Sequence, residues 1–237
     1  MRKLVLCGVT ASVLATAAGV ALAQSEATSL SVKQTARVEG ASSGLRFKVA
    51  FADAEAPNGL PSGLKSFKIK LHKGTKFDGR GATQCKVSDE VLDAQGLAAC
   101  PKSSRVGSGT ASATSAAGVT VKPESVIFNE VVNGRDALLF LFVIDDAVVA
   151  GFDAYIKGRT LTATGLTGAL PGDLVVTEFA GTIGRHSKGR GQQRRNLITT
   201  PEVCPPGSRR WKNTANFVFV NADKDSGSNT SPCKPGD

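Results

Sequence analysis

The stretch Gly40-Ala41-Ser42-Ser43-Gly44 spells G-x-S-x-G, the pattern of a nucleophile elbow. An elbow needs a strand before the serine and a helix after it, so that the hydroxyl stands exposed on a strained turn. Strand-like residues lie on both sides here, which predicts a hairpin loop instead. A triad on Ser42 would also need a histidine, and the chain has two, His72 and His186. His72 ends a predicted strand beside Lys73, and His186 stands among cations that disfavour its protonated form. Paired carboxylates are the other route to hydrolysis, as in a glycosidase. Asp145, Asp146, Asp153 and Glu178 are the candidates. Asp145-Asp146 reads as a turn after an apolar strand, and Asp153 as a polar position between Phe152 and Ala154. Solvated residues explain these better than a catalytic pair does. One Trp and one Tyr also leave few platforms for a sugar.

Metal and cofactor chemistry finds no frame either. Asn221 to Gly227 resembles the start of a calcium loop, but the glutamate such a loop needs six residues after the glycine is replaced by Cys233. A polar hairpin turn is the better reading. No phosphate loop, dinucleotide fingerprint or short zinc-type cysteine spacing is present. The expectation is no cofactor and no metal.

The cysteines point to a compartment. Arg2 and Lys3 precede an uncharged apolar stretch, Leu4 to Leu22, that closes on Ala21-Leu22-Ala23. This is the pattern of a secretory leader over residues 1–23, cleaved after Ala23. Cys7 lies too early in the apolar stretch to be a lipid anchor. The remaining residues, 24–237, hold Cys85, Cys100, Cys204 and Cys233, and an even count in an exported chain favours disulfides. Three pairings are open. We expect Cys85 with Cys100 and Cys204 with Cys233, because each pair brackets a compact segment. After removal of the leader, no apolar stretch is long enough to span a bilayer as a helix.

The elements that must position these residues are mostly strands. Leu45-Phe47-Val49-Phe51 alternates with Arg46 and Lys48, and Phe67-Ile69-Leu71 with Lys68 and Lys70. Val126 to Val132 and Ala137 to Ile144 flank Asn133-Gly134, a strong hairpin signal. The second of these runs is almost wholly apolar and predicts a strand buried on both faces. Only Ser88 to Gln95 looks helical, with Ser88 as cap, Asp89 and Glu90 in the first turn and Gly96 as stop. Many short strands with Gly-rich turns argue a β-sandwich, immunoglobulin-like or related, with one short helix and two disulfides. It is a single domain over 24–237 or two β subdomains meeting near residues 110–120.

Two motifs resemble a pattern of exported bacterial proteins of unknown function. One is Cys100-Pro101-x-x-Ser104-x-Val106-Gly107-x-Gly109, with a cysteine fifteen residues upstream. The other is Thr200-Pro201-x-x-Cys204-Pro205, followed by Trp211 and Cys233. The resemblance covers Leu60 to Cys233 and implies a secreted, disulfide-stapled β fold. It brings no catalytic or binding residues with it.

Charge is the most informative feature. The sequence carries 29 Lys and Arg against 20 Asp and Glu. From Arg185 to Lys212 there are eight cations, Arg185, Lys188, Arg190, Arg194, Arg195, Arg209, Arg210 and Lys212, against the lone acid Glu202. Outside this segment and the leader the chain is electrically balanced. A solvated, mobile Gly-rich loop is the bland reading. The sharper one is a contact surface for an anionic wall polymer or an anionic lipid surface, because guanidinium forks suit phosphate. Nucleic acid is the weaker partner, since aromatics for base stacking are missing beyond Trp211. The sequence names no protein partner. It therefore reads as an exported, non-enzymatic envelope or extracellular module. The alternative is a secreted hydrolase using surface carboxylates or Ser42.

Overall fold

A computed structural model describes residues 27–56, 58–166 and 173–236; the expected leader, residues 1–23, lies outside them. The chain is mostly strand. In order these are β1 (Ala27–Gln34), β2 (Ser42–Ser43), β3 (Leu45–Phe51), β4 (Leu64–Lys70) and β5 (Lys76–Phe77). Helix α1 (Asp89–Gln95) follows, then β6 (Arg105–Thr114), β7 (Thr120–Val121), β8 (Glu124–Val132), β9 (Arg135–Ile144), β10 (Ala147–Lys157) and β11 (Thr160–Thr164). The last are β12 (Val175–Ile183), β13 (Ser187–Lys188), β14 (Arg195–Asn196), β15 (Ile198–Thr199), β16 (Arg210–Phe219) and β17 (Lys224–Pro232).

The long strands form one sheet in the order β1-β3-β12-β6-β8-β9-β10-β11-β4-β16-β17, with β7 beside β6. The sheet curls so that its halves face each other, sandwich fashion, across a core of phenylalanines. Phe47 of β3 meets Phe140 of β9 at 6.1 Å between ring centroids, and Phe142 of β9 meets Phe179 of β12 at 5.6 Å. Phe51 of β3 reaches Phe217 of β16 at 5.2 Å. The two layers are thus continuous in hydrogen bonding. Every step along the path is antiparallel, so with eleven strands β1 and β17 run in the same direction. Side chains join them across the seam. The amides of Asn213 and Asn229 donate to the Val32 carbonyl at 2.7 and 2.9 Å. Just beyond, Val38 and Lys234 form a parallel bridge.

Local chemistry explains the turns. Asn133 and Gly134 both take positive φ, 50° and 74°, as the two-residue turn between β8 and β9 requires. Strand β9 is buried on both faces, as its sequence predicts. Leu138, Phe140 and Phe142 enter the interior, while Leu139, Leu141 and Val143 pack outward. The segment from Cys85 to Cys100 covers that outward row, and its own Val87, Leu92 and Leu97 pack there. The helix ends at Gly96, but Ser88 makes no side-chain cap bond. Its hydroxyl serves the Glu90 carboxylate instead and lowers that group's pKa. The Gly-, Ser-, Thr- and Ala-rich run after Ser104 forms β6, which lies between β12 and β8.

Candidate functional site

Both disulfides form as expected, Cys85–Cys100 and Cys204–Cys233. The first ties a flap carrying α1 onto the outside of β8. The Cys85 amide donates to the Asn129 carbonyl at 2.7 Å, and Val131 donates to the Cys85 carbonyl at 3.3 Å. The second joins the approach to β16 to the residue after β17.

The motif residues around these cysteines have packing roles. Ser104 Oγ donates to the Pro101 carbonyl at 2.6 Å. A Cβ on Gly107 or Gly109 would run into the β12 carbonyls of Thr182 and Ala180, so β6 needs glycine to approach β12 closely. Thr200 is fully buried; its Oγ1 accepts from the Ala41 amide at 2.8 Å and donates to the Val38 carbonyl at 2.7 Å.

Ser42 does not sit on an elbow. It belongs to the short strand β2, which pairs with β15. His186 Nε2 is 3.0 Å from the Val106 carbonyl. His72 Nδ1 accepts from the Lys212 amide at 3.1 Å. Burial, with the nearby Arg159, holds His72 below its ordinary pKa. Both rings are committed to backbone partners other than Ser42. The Asn221–Gly227 stretch is the β16–β17 turn and the start of β17, with the Asp223 amide donating to Asn221 Oδ1 at 3.0 Å. Among the described residues no group of three or more His, Cys, Asp or Glu gathers as a metal site would require.

The basic segment divides between two places. Its first half is a hairpin rather than an unstructured loop. Ser187 pairs with Asn196 and Lys188 with Arg195, around a 3-10 turn at Gly191–Gln193. Gly189, at φ 89°, allows the chain to reverse there. Arg185, Lys188, Arg190, Arg194 and Arg195 are exposed. Arg185 donates to the Thr35 carbonyl at 3.4 Å and Arg194 to Ser187 Oγ at 3.0 Å. Arg195 is neutralised by Asp78 at 3.0 Å, which also binds Arg80 at 3.1 Å. Burial would raise Asp78, but the hydrogen bonds from Arg195 and Arg80 outweigh it and hold the carboxyl below its usual range.

The second half joins a different surface. Arg209 lies in the turn before β16, and its carbonyl accepts from the Cys233 amide at 2.9 Å. Arg210 and Lys212 open β16 and face outward, while Trp211 between them points inward. Trp211 is fully buried, its indole donating to the Val203 carbonyl at 3.2 Å. It is a core residue, and strand alternation is the reason.

Register brings further cations beside Arg210 and Lys212. Lys70 lies opposite Thr214 of β16 on one side and Thr160 of β11 on the other; Lys68 lies between Asn216 and Thr162. Thr214 faces Ser228 of β17, and Asn216 faces Ser226. The outward positions of β4, β16 and β17 therefore carry Lys68, Lys70, Arg210, Lys212 and Lys224 among hydroxyls and amides, with Val218 and Pro232 as apolar members and no carboxylate. Lys157 of β10 extends the array beyond Thr160. The signal in the sequence was the K-x-K alternation at Lys68 and Lys70. Its link to Lys212 depends on pairing between strands some 140 positions apart.

The carboxylates also sort themselves. Asp145 and Asp146 form the β9–β10 turn with φ of 49° and 63°. Glu178 is paired with Lys48 at 2.9 Å on the surface. Asp153 is different: it lies opposite Leu139 of β9, and Glu130 of β8 lies opposite Ala137 two positions along, so the two carboxylates are diagonal neighbours on the outer face beside the flap. Burial first, then the charge of Asp153, pushes the Glu130 carboxyl up to about 8. Burial raises Asp153 too, against a hydrogen bond from Glu130 that lowers it, and Asp89 of α1 adds to the rise. Near neutral pH Glu130 therefore keeps its proton beside the Asp153 carboxyl. Alternation alone marks Glu130 as a wet-face residue, so nothing in its own strand singles it out.

The chain matches no protein-family model and no curated protein, so its geometry has to carry the functional reading.

Proposed function

We propose that the protein is an exported, non-enzymatic module that contacts an anionic polymer through the outward face of β4, β16 and β17. One observation carries this reading: register places Lys68, Lys70, Arg210, Lys212 and Lys224 on one face with hydroxyls between them and no acid among the outward positions. Same-face residues on a strand stand about 7 Å apart and neighbouring strands about 4.8 Å. An extended polyanion laid across the strands meets a new cation or hydroxyl donor at each step. Lysine binds phosphate as a mobile point charge, and the Ser and Thr hydroxyls add hydrogen bonds. The hairpin bearing Arg185 to Arg195 is a secondary contact, since Asp78 already offsets part of its charge. The outward positions of β4, β16 and β17 hold no aromatic, and Tyr155 of β10, opposite Thr162, already carries Arg135 over its ring at 4.8 Å, which favours a wall-type phosphopolymer over base stacking on nucleic acid.

Export rests on the leader pattern and on the resemblance to secreted proteins. Two disulfides are compatible with an oxidising compartment. Among the described residues no helix is long and apolar enough to cross a membrane.

The test is binding of residues 24–237 to polyphosphate, with phosphatidylglycerol vesicles as a second arm, at low and physiological salt. A variant with Lys68, Lys70 and Lys212 changed to Ala is compared with one carrying Arg194→Ala and Arg195→Ala. The reading requires the lysine variant to lose at least tenfold in affinity and the arginine variant to lose less. Equal binding by both variants and the parent sinks it. Binding to vesicles alone would transfer the face to a lipid surface.

A further inference from the structure

Between the two layers lies a cavity of about 130 Å³ that anion binding does not use. Phe47, Phe67, Phe142, Phe152, Phe179 and Phe217 form much of its wall. Among the described residues Lys48 is the one charged member of the lining, and its ammonium is engaged with Glu178 on the surface. A buried water needs two to four polar partners, and this wall does not supply them. Cavities of about this size lined by Leu, Ile and Phe stay dry and bind small hydrocarbons.

Its shape narrows the ligand class. Strand β3 contributes wall residues from Leu45 to Phe51, and β12 from Val175 to Ile183. At about 3.3 Å per residue these stretches span roughly 20 Å or more. A volume of 130 Å³ along such a wall is a thin slot rather than a round chamber. One end reaches the rim of the fold, where Leu64, Leu174 and Val176 are partly exposed and Val220 is 52% exposed. The geometry points to a binding site for a single unbranched hydrocarbon chain, inserted from the Leu64–Val220 rim with any polar head left in water. This site is independent of the cationic face.

Dodecanol and dodecanoate are titrated into residues 24–237, and the methyl resonances of Leu, Val and Ile are followed by NMR. The neutral alcohol matters because it carries no charge to pair with the surface ammonium groups. Expected is saturable 1:1 binding of both, with shifts at Leu64, Leu166 and Val176 that persist at physiological salt. Ala154, fully enclosed in the wall, is changed to Leu to fill the slot; binding should fall at least tenfold. If that variant unfolds, Val176→Phe blocks the rim instead and should give the same loss. No saturable binding of either compound overturns the proposal. So does binding of dodecanoate alone that disappears with salt, because it places the ligand on surface cations.

Discussion

The outside of the sheet is finished in two ways. Over β8 and β9 it is apolar and covered: Phe128, Leu139, Leu141 and Val143 lie beneath a flap held down by Cys85–Cys100. Over β4, β16 and β17 it is cationic and bare, with Lys68, Lys70 and Lys212 exposed. The same curled sheet supports both. What differs is whether the outward parity of each strand is apolar or polar, and whether the chain spends residues on a cover. A covered face contributes to stability. A bare charged one contributes little and is free to meet a partner.

Perturbations should separate the two faces, the largest effect falling on the covered one. Changing Cys85 and Cys100 to Ala removes the staple, at a cost of about 3 kcal/mol for a loop of this length. Urea denaturation should show the loss, and the freed apolar row should bind a hydrophobic dye. Leu141→Ala, at a residue 1% exposed, should cost about 2–5 kcal/mol by the same measurement. A loss under about 1 kcal/mol would mean that the flap does not close over this row.

A third variant probes the edge of the flap. Glu130 titrates near 8 in the folded protein and near 4.5 when unfolded, so between these values the folded form holds a proton that the unfolded form has released. Stability should therefore fall as pH rises from about 4.5 to about 8 and level off above. Glu130→Gln should flatten that slope, with the largest gain at the alkaline end. An unchanged slope would remove the Glu130–Asp153 pair as its source.

The smallest effect on stability belongs to the bare face. Changing Lys68, Lys70 and Lys212 to Ala should shift unfolding by no more than about 0.5 kcal/mol, because exposed residues without buried partners rarely matter more. The same variant should flatten the salt dependence of polyanion binding. A large stability loss with intact binding would reverse the roles assigned to the two faces.

Much of this contrast is legible in the sequence, and the reasons are local. Asn133-Gly134 declares its hairpin, because few other pairs accept two positive φ angles. The unbroken apolar run of β9 announces burial on both faces. The cysteine pairs bracket compact segments and close as expected. What stayed hidden is non-local. Lys70 meets Thr214 only through strand register, so the cationic face cannot be assembled from a window of residues. The charge-dense segment draws attention to its arginines, yet Asp78, far upstream, offsets part of that hairpin. Trp211 looks like a surface platform between two cations until strand parity turns it inward. Glu130 reads as solvated because its cover comes from the flap, which precedes it by some forty positions.

The odd number of strands around the sheet fixes an order of events. Its first and last members run the same way, and no short turn can join parallel neighbours. The amides that close the seam, on Asn213 and Asn229, come from the final part of the chain and act on Val32 near its beginning. A polypeptide made from its N-terminus must therefore keep β1 without its closing partner until almost every residue has been synthesised. The interior is sealed only by the last strand to arrive. Deleting β17 should leave the fold with an open flank rather than simply shorten it.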